Sequence, residues 1–583
     1  MTSDPVEEVR KLVHTPAMHA FVRTCLKELV ELNTIPTANL EDTASREHAV
    51  LDVIESHARD ALGAQCKFER PTLSPDIESL KEYTQPFYAR RPDGSIPSAR
   101  QVYAGRCNLL VTMPGRKPGP GLALNAHVDT VAPYFPFSER EGRLWGRGAV
   151  DDKGMCVALL VALKALADLR QERGVLPAAD LTCQFVVEEE MGGNGSMSLA
   201  AQRLREWGCV VVCEATDMAV HPGNRGATWY RIAMEAEPAS GLNATLLAAR
   251  VILNLRAEGD RIRAESDHPL FPERPVQTCN GQFGPWGAHP SRVNPMVGLW
   301  VTPGRGDAEG LIPRIEEACR RAVAKHCERY GDATKKPDPD DPARPMVLRH
   351  FDVVAAQNGV AVFLYGKAGH MGKINELDCA ATKAAYTVCE LAAALAPDGA
   401  TVSLARAVAP DKQIPPRRAD ERQAGLGPDE ASLRSVVLEG GQGFVPTHSI
   451  GDVQRRVSEA VTQTVNAFLG ERRAPQTAAR VKTTFERLHN NAFARPVDSA
   501  GMKAALEAAR AAGVYKGEPV RGFGVSCDAR LFADLCPEMD IITFGPGQLR
   551  YAHSDAESIT AEEILKGAEV LVNMALLYGA GPA

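Results

Sequence analysis

The sequence contains no run of five or more basic residues, and its 66 Lys and Arg stand against 73 Asp and Glu for a net charge of −7. Nothing in that balance attracts a phosphate backbone or an anionic bilayer, so nucleic acid and membrane surfaces are excluded as partners. No uncharged apolar run approaches the roughly 18 residues of a membrane span. The first residues, MTSDPVEEVRKLV, lack the basic-then-apolar order of a secretory signal. No CxxC pair occurs among the 14 cysteines. Cys156, Cys183, Cys209, Cys213 and Cys389 sit singly inside apolar stretches, as buried thiols do, rather than as a disulfide framework or a zinc knuckle. A reducing compartment suits them, and the expected location is the cytoplasm.

What is present is globular: 44% hydrophobic and 24% charged residues over a length of 583, enough for about four ordinary domains or fewer large ones. Residues 1–60 carry apolar residues at three- and four-residue spacing, the mark of helices. From Leu109 short β-branched runs (NLLVTMPG, GLALNAHVD, DLTCQFVVEEE, GCVVVCEATD) alternate with long amphipathic stretches such as KGMCVALLVALKALADLRQ. That rhythm predicts an α/β domain whose parallel sheet is covered on both faces. It stops near Gly226 and returns near Val497, so an α/β domain of segments 1–225 and 495–583 is expected, interrupted by a domain at 226–494. The interrupting segment contains a weak repeat of strand, turn, helix, strand, loop and helix, with copies at 226–335 and 346–494.

Four strand-like runs end in metal-ligand residue types: His127 and Asp129, the turn with Asp151 and Asp152, Glu188 to Glu190, and Glu214. In open α/β sheets the functional crevice lies beyond the carboxyl ends of the strands, which brings such ends together. Taken singly each is ordinary, since a lone histidine is usually structural and Asp152 before a helix can be a cap. Taken together they form a cluster of negative charge with no matching cations, which divalent metals would neutralise.

The ordered runs NAHVDTV, GRGAVDDKG, EEEMGG, CEAT and GPGQLRYAHSDAE resemble the motif set of the co-catalytic zinc peptidases that include aminoacylase, succinyl-diaminopimelate desuccinylase, carboxypeptidase G and bacterial dipeptidases. The resemblance implies a zinc-peptidase-like three-layer α/β catalytic domain with an inserted α+β lid, internally duplicated here. It also implies two divalent ions, zinc or in its place manganese or cobalt. His127 and Glu214 would bind the first, Glu190 and His553 the second, and Asp151 would bridge them through a cis Asp151–Asp152 peptide. Asp129 would orient His127, and Glu189 would be the general base and acid. FLYGKAGHMG resembles the lid motif whose histidine steadies the oxyanion, which assigns His370. Arg225, Asn375, Asp528 and Arg530 would contact substrate, with Ser526 on the site floor.

One departure stands out. Where the lid strands of many such enzymes carry a carboxylate-gripping arginine, this chain has VVLEGGQGFVP, with Glu439 and no arginine. The expected reaction is hydrolysis of a peptide bond in a small peptide, as in a dipeptidase or carboxypeptidase. The alternatives are an N-acyl amino acid deacylase on the same scaffold and, more remotely, a non-catalytic binding protein. A duplicated lid imitates a dimer within one chain, so a monomer would suffice with His370 acting in cis; a homodimer is the other arrangement.

Overall fold

The N-terminal apolar spacing folds as α1 (Pro5–Val13), α2 (Pro16–Glu31) and α3 (Leu40–Leu62). The computed structural model describes residues 5–91, 93–287, 290, 292–305, 307–339, 341–356, 358–372, 377–406, 426–485 and 489–580. Thr15 accepts the Met18 amide and Asn39 the Asp42 amide, each at 3.2 Å, which satisfies orphan donors at the starts of α2 and α3. The chain continues through β1 (Lys67–Glu69), β2 (Leu109–Met113), β3 (Gly121–His127), α4 (Lys153–Arg173), β4 (Leu181–Val186), α5 (Asn194–Arg203) and β5 (Trp207–Val212). Helix α4 is buried on nearly every side, as its almost uninterrupted apolar sequence requires.

The interrupting segment supplies β6 (Gly226–Ala236), α6 (Ala244–Glu265), β7 (Thr278–Phe283), β8 (Met296–Thr302), α7 (Ala308–Tyr330) and β9 (Phe351–Ala356). The same order then recurs as β10 (Gly359–Tyr365), α8 (Ala380–Leu395), β11 (Thr401–Ala405), β12 (Ser435–Phe444), α9 (Ile450–Glu471) and β13 (Ala479–Thr484). The sheets do not divide along the boundary between the two runs. One sheet has the order β7-β12-β6-β13 and the other β9-β10-β8-β11, so each draws strands from both runs. Exchanging one run for the other converts the first strand order into the second. Most of the polar stretch 405–430 lies outside the described residues.

The chain then returns through α10 (Ala500–Ala511), α11 (Ala529–Leu535), β14 (Asp540–Thr543) and α12 (Ala561–Leu577). Strand β14 completes the first sheet in the order β1-β2-β4-β3-β5-β14. The inner neighbours β4-β3-β5-β14 run parallel, whereas β1 and β2 are antiparallel. The expectation of a wholly parallel sheet is therefore corrected at one edge. Residues 114–120 between β2 and β3 are too few for the crossover a parallel pair needs, so the chain must reverse. Leu122, Leu124 and Ala126 pack on one face with α4 and α12, and Ala123 on the other with α5 and α11, giving three layers. No helix among the described residues is long and apolar enough to cross a membrane, and all 14 cysteines are unpaired.

Candidate metal centre

Strands β4, β3 and β5 lie side by side and parallel, so the residues just beyond them meet at one edge of the sheet. His127 ends β3, Glu189 and Glu190 follow β4, and Glu214 follows β5. Asp151 comes in from the turn before α4, and its peptide bond to Asp152 is cis. The two oxygens of Asp151 face different histidines: Oδ1 is 3.0 Å from His127 Nε2, and Oδ2 is 3.2 Å from His553 Nε2. His553 Nε2 also lies 2.9 Å from Glu190 Oε1. Ligand atoms of His127, Asp151 and Glu190 fall within 4.8 Å of one another, and so do those of His127, Glu189 and Glu214.

Hydrogen bonds hold this arrangement from behind. His127 Nδ1 lies 3.0 Å from the carbonyl of Asp129 and 3.4 Å from its Oδ1. The same carboxylate accepts the amides of Glu189 and Glu190 at 3.0 and 3.1 Å, tying the end of β4 to that of β3. Asp152 occupies the cap position of α4, yet its side chain accepts the His127 amide at 3.0 Å instead of capping the helix.

Charge is unbalanced in this crevice. Burial, with Asp528 alongside, pushes the Glu189 carboxyl well above its ordinary range, and burial beside Glu189 does the same to Glu214. Glu190 is raised by burial against the pull of His553. Burial alone would lower the imidazoles; hydrogen bonds donated to Asp129 and Asp151 outweigh it at His127, and the Glu190 charge with hydrogen bonds donated to Asp151 and Glu190 outweighs it at His553. Carboxyls that resist ionisation beside imidazoles that retain protons mark a site short of positive charge. Two imidazoles with several carboxylates suit zinc or a similar divalent ion.

The cavity beside these groups is lined by Arg225, Trp229, Ser526, Asp528 and Arg530 as well as Asp151, Glu189, Glu190, Glu214 and His553. Arg225 is buried with Nε and Nη1 unpartnered, and burial lowers its pKa to about 10. Arg530 Nη2 donates to the Gly192 carbonyl at 2.8 Å, and burial raises the Asp528 carboxyl. The backbone of Gly369–His370 pairs with Arg292–Val293, and Gly372 lines a neighbouring cavity with Ala215 and Thr216. Asn375 lies outside the described residues.

Two supporting roles are not marked in the sequence. Glu557, in the same run as His553, accepts the amides of Gly148, Val150 and Asp151 at 3.0, 3.1 and 3.1 Å and pairs with buried Arg147. Glu188 takes φ +71°, which turns its side chain away from the cluster. It meets Tyr88 and, at 3.2 Å, Arg106 Nη1, whose guanidinium also pairs with Glu47.

Fold and donor set thus define a three-layer α/β protein with a two-histidine, multi-carboxylate crevice at the strand ends. The sequence profile of Peptidase family M20/M25/M40 matches residues 123–577, and the chain belongs to that family. A probable carboxypeptidase of Arthroderma benhamiae is 29% identical over 254 residues, 40% of this chain and 54% of that protein. Another, of Aspergillus terreus, is 29% identical over 201 residues, 32% of this chain and 45% of that one. The chain spans about half the length of the curated relatives it matches. Human carnosine dipeptidase 1 shares the fold with a TM-score of 0.54 at 11% identity, covering 98% of this chain and 99% of that one. The di-peptidase Dug1p of Saccharomyces cerevisiae does so with a TM-score of 0.55 at 12% identity, covering 99% of both.

Proposed function

We propose that this protein is a dinuclear-metal hydrolase that cleaves the peptide bond of a small peptide, as a dipeptidase or carboxypeptidase does. The observation that carries this reading is Asp151, whose two oxygens face His127 and His553 separately. His127 and Glu214 would hold one ion, Glu190 and His553 the other, and Asp151 both. Zinc, manganese or cobalt there would supply the Lewis acidity that polarises an amide carbonyl and lowers the pKa of water toward neutrality.

The chain's own groups do the rest. Asp129 fixes His127 through its carbonyl and fixes the Glu189 amide through its carboxylate. Glu189, as the carboxylate, takes a proton from the attacking water and returns it to the leaving amine. His370, by its place in the lid motif, would be the donor to the carbonyl oxygen, acting in cis. A monomer therefore suffices, and the two sheets of segment 226–494 act as the lid. Arg225 provides the cation absent from the lid strand. A Cβ on Gly443, within GGQGF of β12, would lie 1.9 Å from Arg225 Nη1, so that glycine makes room for the guanidinium. Its unpartnered nitrogens suit a terminal carboxylate. The relatives named probable carboxypeptidases favour a peptide over an N-acyl amino acid.

Metal analysis of the purified protein should return about two divalent ions per chain. Chelation should abolish amine release from a panel of dipeptides and N-acyl amino acids, and zinc, manganese or cobalt should restore it. Hydrolysis by metal-free protein would sink the mechanism, and preference for N-acyl amino acids would move the enzyme to the deacylases.

A further inference from the structure

A second cavity, of about 740 Å³, lies within segment 226–494, away from the metal ligands. It is large enough for a small organic molecule. Its walls come from Arg256, Asp260 and Arg263 on one face of α6, from His326 and Arg329 on α7, and from Asp378, Cys379 and Thr382 at the start of α8. Arg274 and Lys336 complete the cationic side.

The acids in this lining are already matched. Asp260 pairs with Arg329, and Asp378 pairs with Lys383 and, at 2.9 Å, with His326 Nε2. Four cations remain. Arg256 is mostly buried, donates to the Thr278 carbonyl at 2.6 Å and lies 4.6 Å from the Tyr330 ring centre. Neither it nor Arg263, Arg274 or Lys336 has a carboxylate within ion-pair distance among the described residues. Like charges gathered around a partly buried space are unfavourable unless an anion joins them.

The backbone points to the same kind of occupant. Helix α8 is 16 residues long and starts at the cavity, and its cap residue, Cys379, makes no side-chain capping hydrogen bond. The Ala380 amide donates to the Asn294 carbonyl at 3.0 Å, and the first intrahelical bond runs from the Lys383 amide to the Cys379 carbonyl at 3.2 Å. The amides of Ala381 and Thr382 between them have no partner among the described residues. An uncapped helix start presents donors and positive potential to an anion. Independently of the helix, Thr382 is 1% exposed, lines the cavity, and has an Oγ1 without a hydrogen-bond partner. A buried hydroxyl left unsatisfied is costly, and a ligand oxygen would satisfy it.

We propose that this cavity is an anion-binding site for a small carboxylate- or phosphate-bearing molecule, distinct from the metal centre. Arg263, Arg274, the α8 amides and the Thr382 hydroxyl hold the anionic group, and Arg256 anchors the wall behind it. Arg263 and Arg274 also line the neighbouring cavity of about 580 Å³ that reaches Ala215 and Leu549 beside the metal centre. The bound anion therefore belongs either to an elongated substrate or to a separate effector.

Calorimetric titration of the full chain with inorganic phosphate and with citrate, metal-loaded and metal-stripped, tests this. Binding should persist in both forms, because the metal centre is not part of the site. It should weaken at least tenfold in an Arg263→Ala, Arg274→Ala double variant and in the near-isosteric Thr382→Val, whose fold is checked by melting. Arg320→Ala, an exposed arginine elsewhere on α7, should leave it unchanged. Absence of binding, binding only with metals present, or equal binding by all variants would overturn the proposal. With the site established, competition between phosphate and peptide substrates assigns the anion to the substrate, and altered turnover without competition assigns it to an effector.

Discussion

The crevice at the strand ends and the cavity at the start of α8 concentrate opposite charges by different means. In the crevice, Asp151, Glu189, Glu190 and Glu214 crowd two histidines, and carboxyls short of cations can retain protons. In the cavity the excess charge is mostly guanidinium, which does not give up its proton near neutral pH. An acid cluster can therefore relax when empty, whereas an arginine cluster cannot and depends on what binds. A third arrangement stands behind the crevice, where Arg106 is fully buried but matched by Glu47 and Glu188. The lesson is that the sign of local charge says less than whether its counterion belongs to the chain or must come from outside.

The sharpest break of that comparison is Glu189→Gln, which removes the proton acceptor but keeps the shape. Turnover should fall by about 10²–10⁴-fold while the two metals stay bound, as measured by steady-state rates and metal analysis on the same sample. Retained turnover would move the base elsewhere. Next in size is the contrast between a cation matched within the chain and one that is not. Arg106→Met leaves Glu47 and Glu188 buried without a cation and should cost about 3–5 kcal/mol of folding stability. Arg263→Ala, by removing one of several unmatched cations, should stay within about 0.5 kcal/mol of the parent. Denaturant unfolding compares them directly, and equal losses would erase the distinction between paired and unpaired arginines.

Much of the crevice was legible because its donors lie within a few residues of strand ends. His127, Glu190 and Glu214 each follow a short apolar run, and a parallel arrangement of β4, β3 and β5 makes such ends converge. What stayed hidden depends on geometry that local sequence does not carry. Glu557 sat in a recognised motif, but the amides it holds belong to Gly148, Val150 and Asp151, about 400 residues earlier in the chain. Glu188 was one of three acids at the end of a strand-like run, and nothing local marked that its left-handed backbone faces it toward Arg106. Segment 226–494 was legible as a succession of strands and helices. Its strand pairing was not, because periodicity marks a strand without naming its neighbour. The cation cavity is hidden for the same reason: α6, α7 and α8 each supply only part of its wall.

Arg225 joins the two kinds of site, being an unmatched buried cation inside the acid crevice, and it yields the smallest and most specific prediction. Removing it outright would confound lost packing with lost charge. Gly443→Ala avoids this, because the added Cβ meets the Nη1 end of the Arg225 side chain first, at 1.9 Å, with Gln277 Oε1 next at 3.3 Å. The far end of a flexible side chain can shift while β12 keeps its ladder with β6 and β7. Melting temperature should change little, whereas KM for a peptide with a free carboxylate should rise about tenfold, equivalent to about 1.4 kcal/mol of lost binding. If Arg225 grips substrate and transition state equally, kcat should hold while KM moves. A peptide amide lacking the carboxylate should feel the substitution less. Equal effects on the two substrates would mean that Arg225 serves the crevice's internal charge balance rather than the ligand.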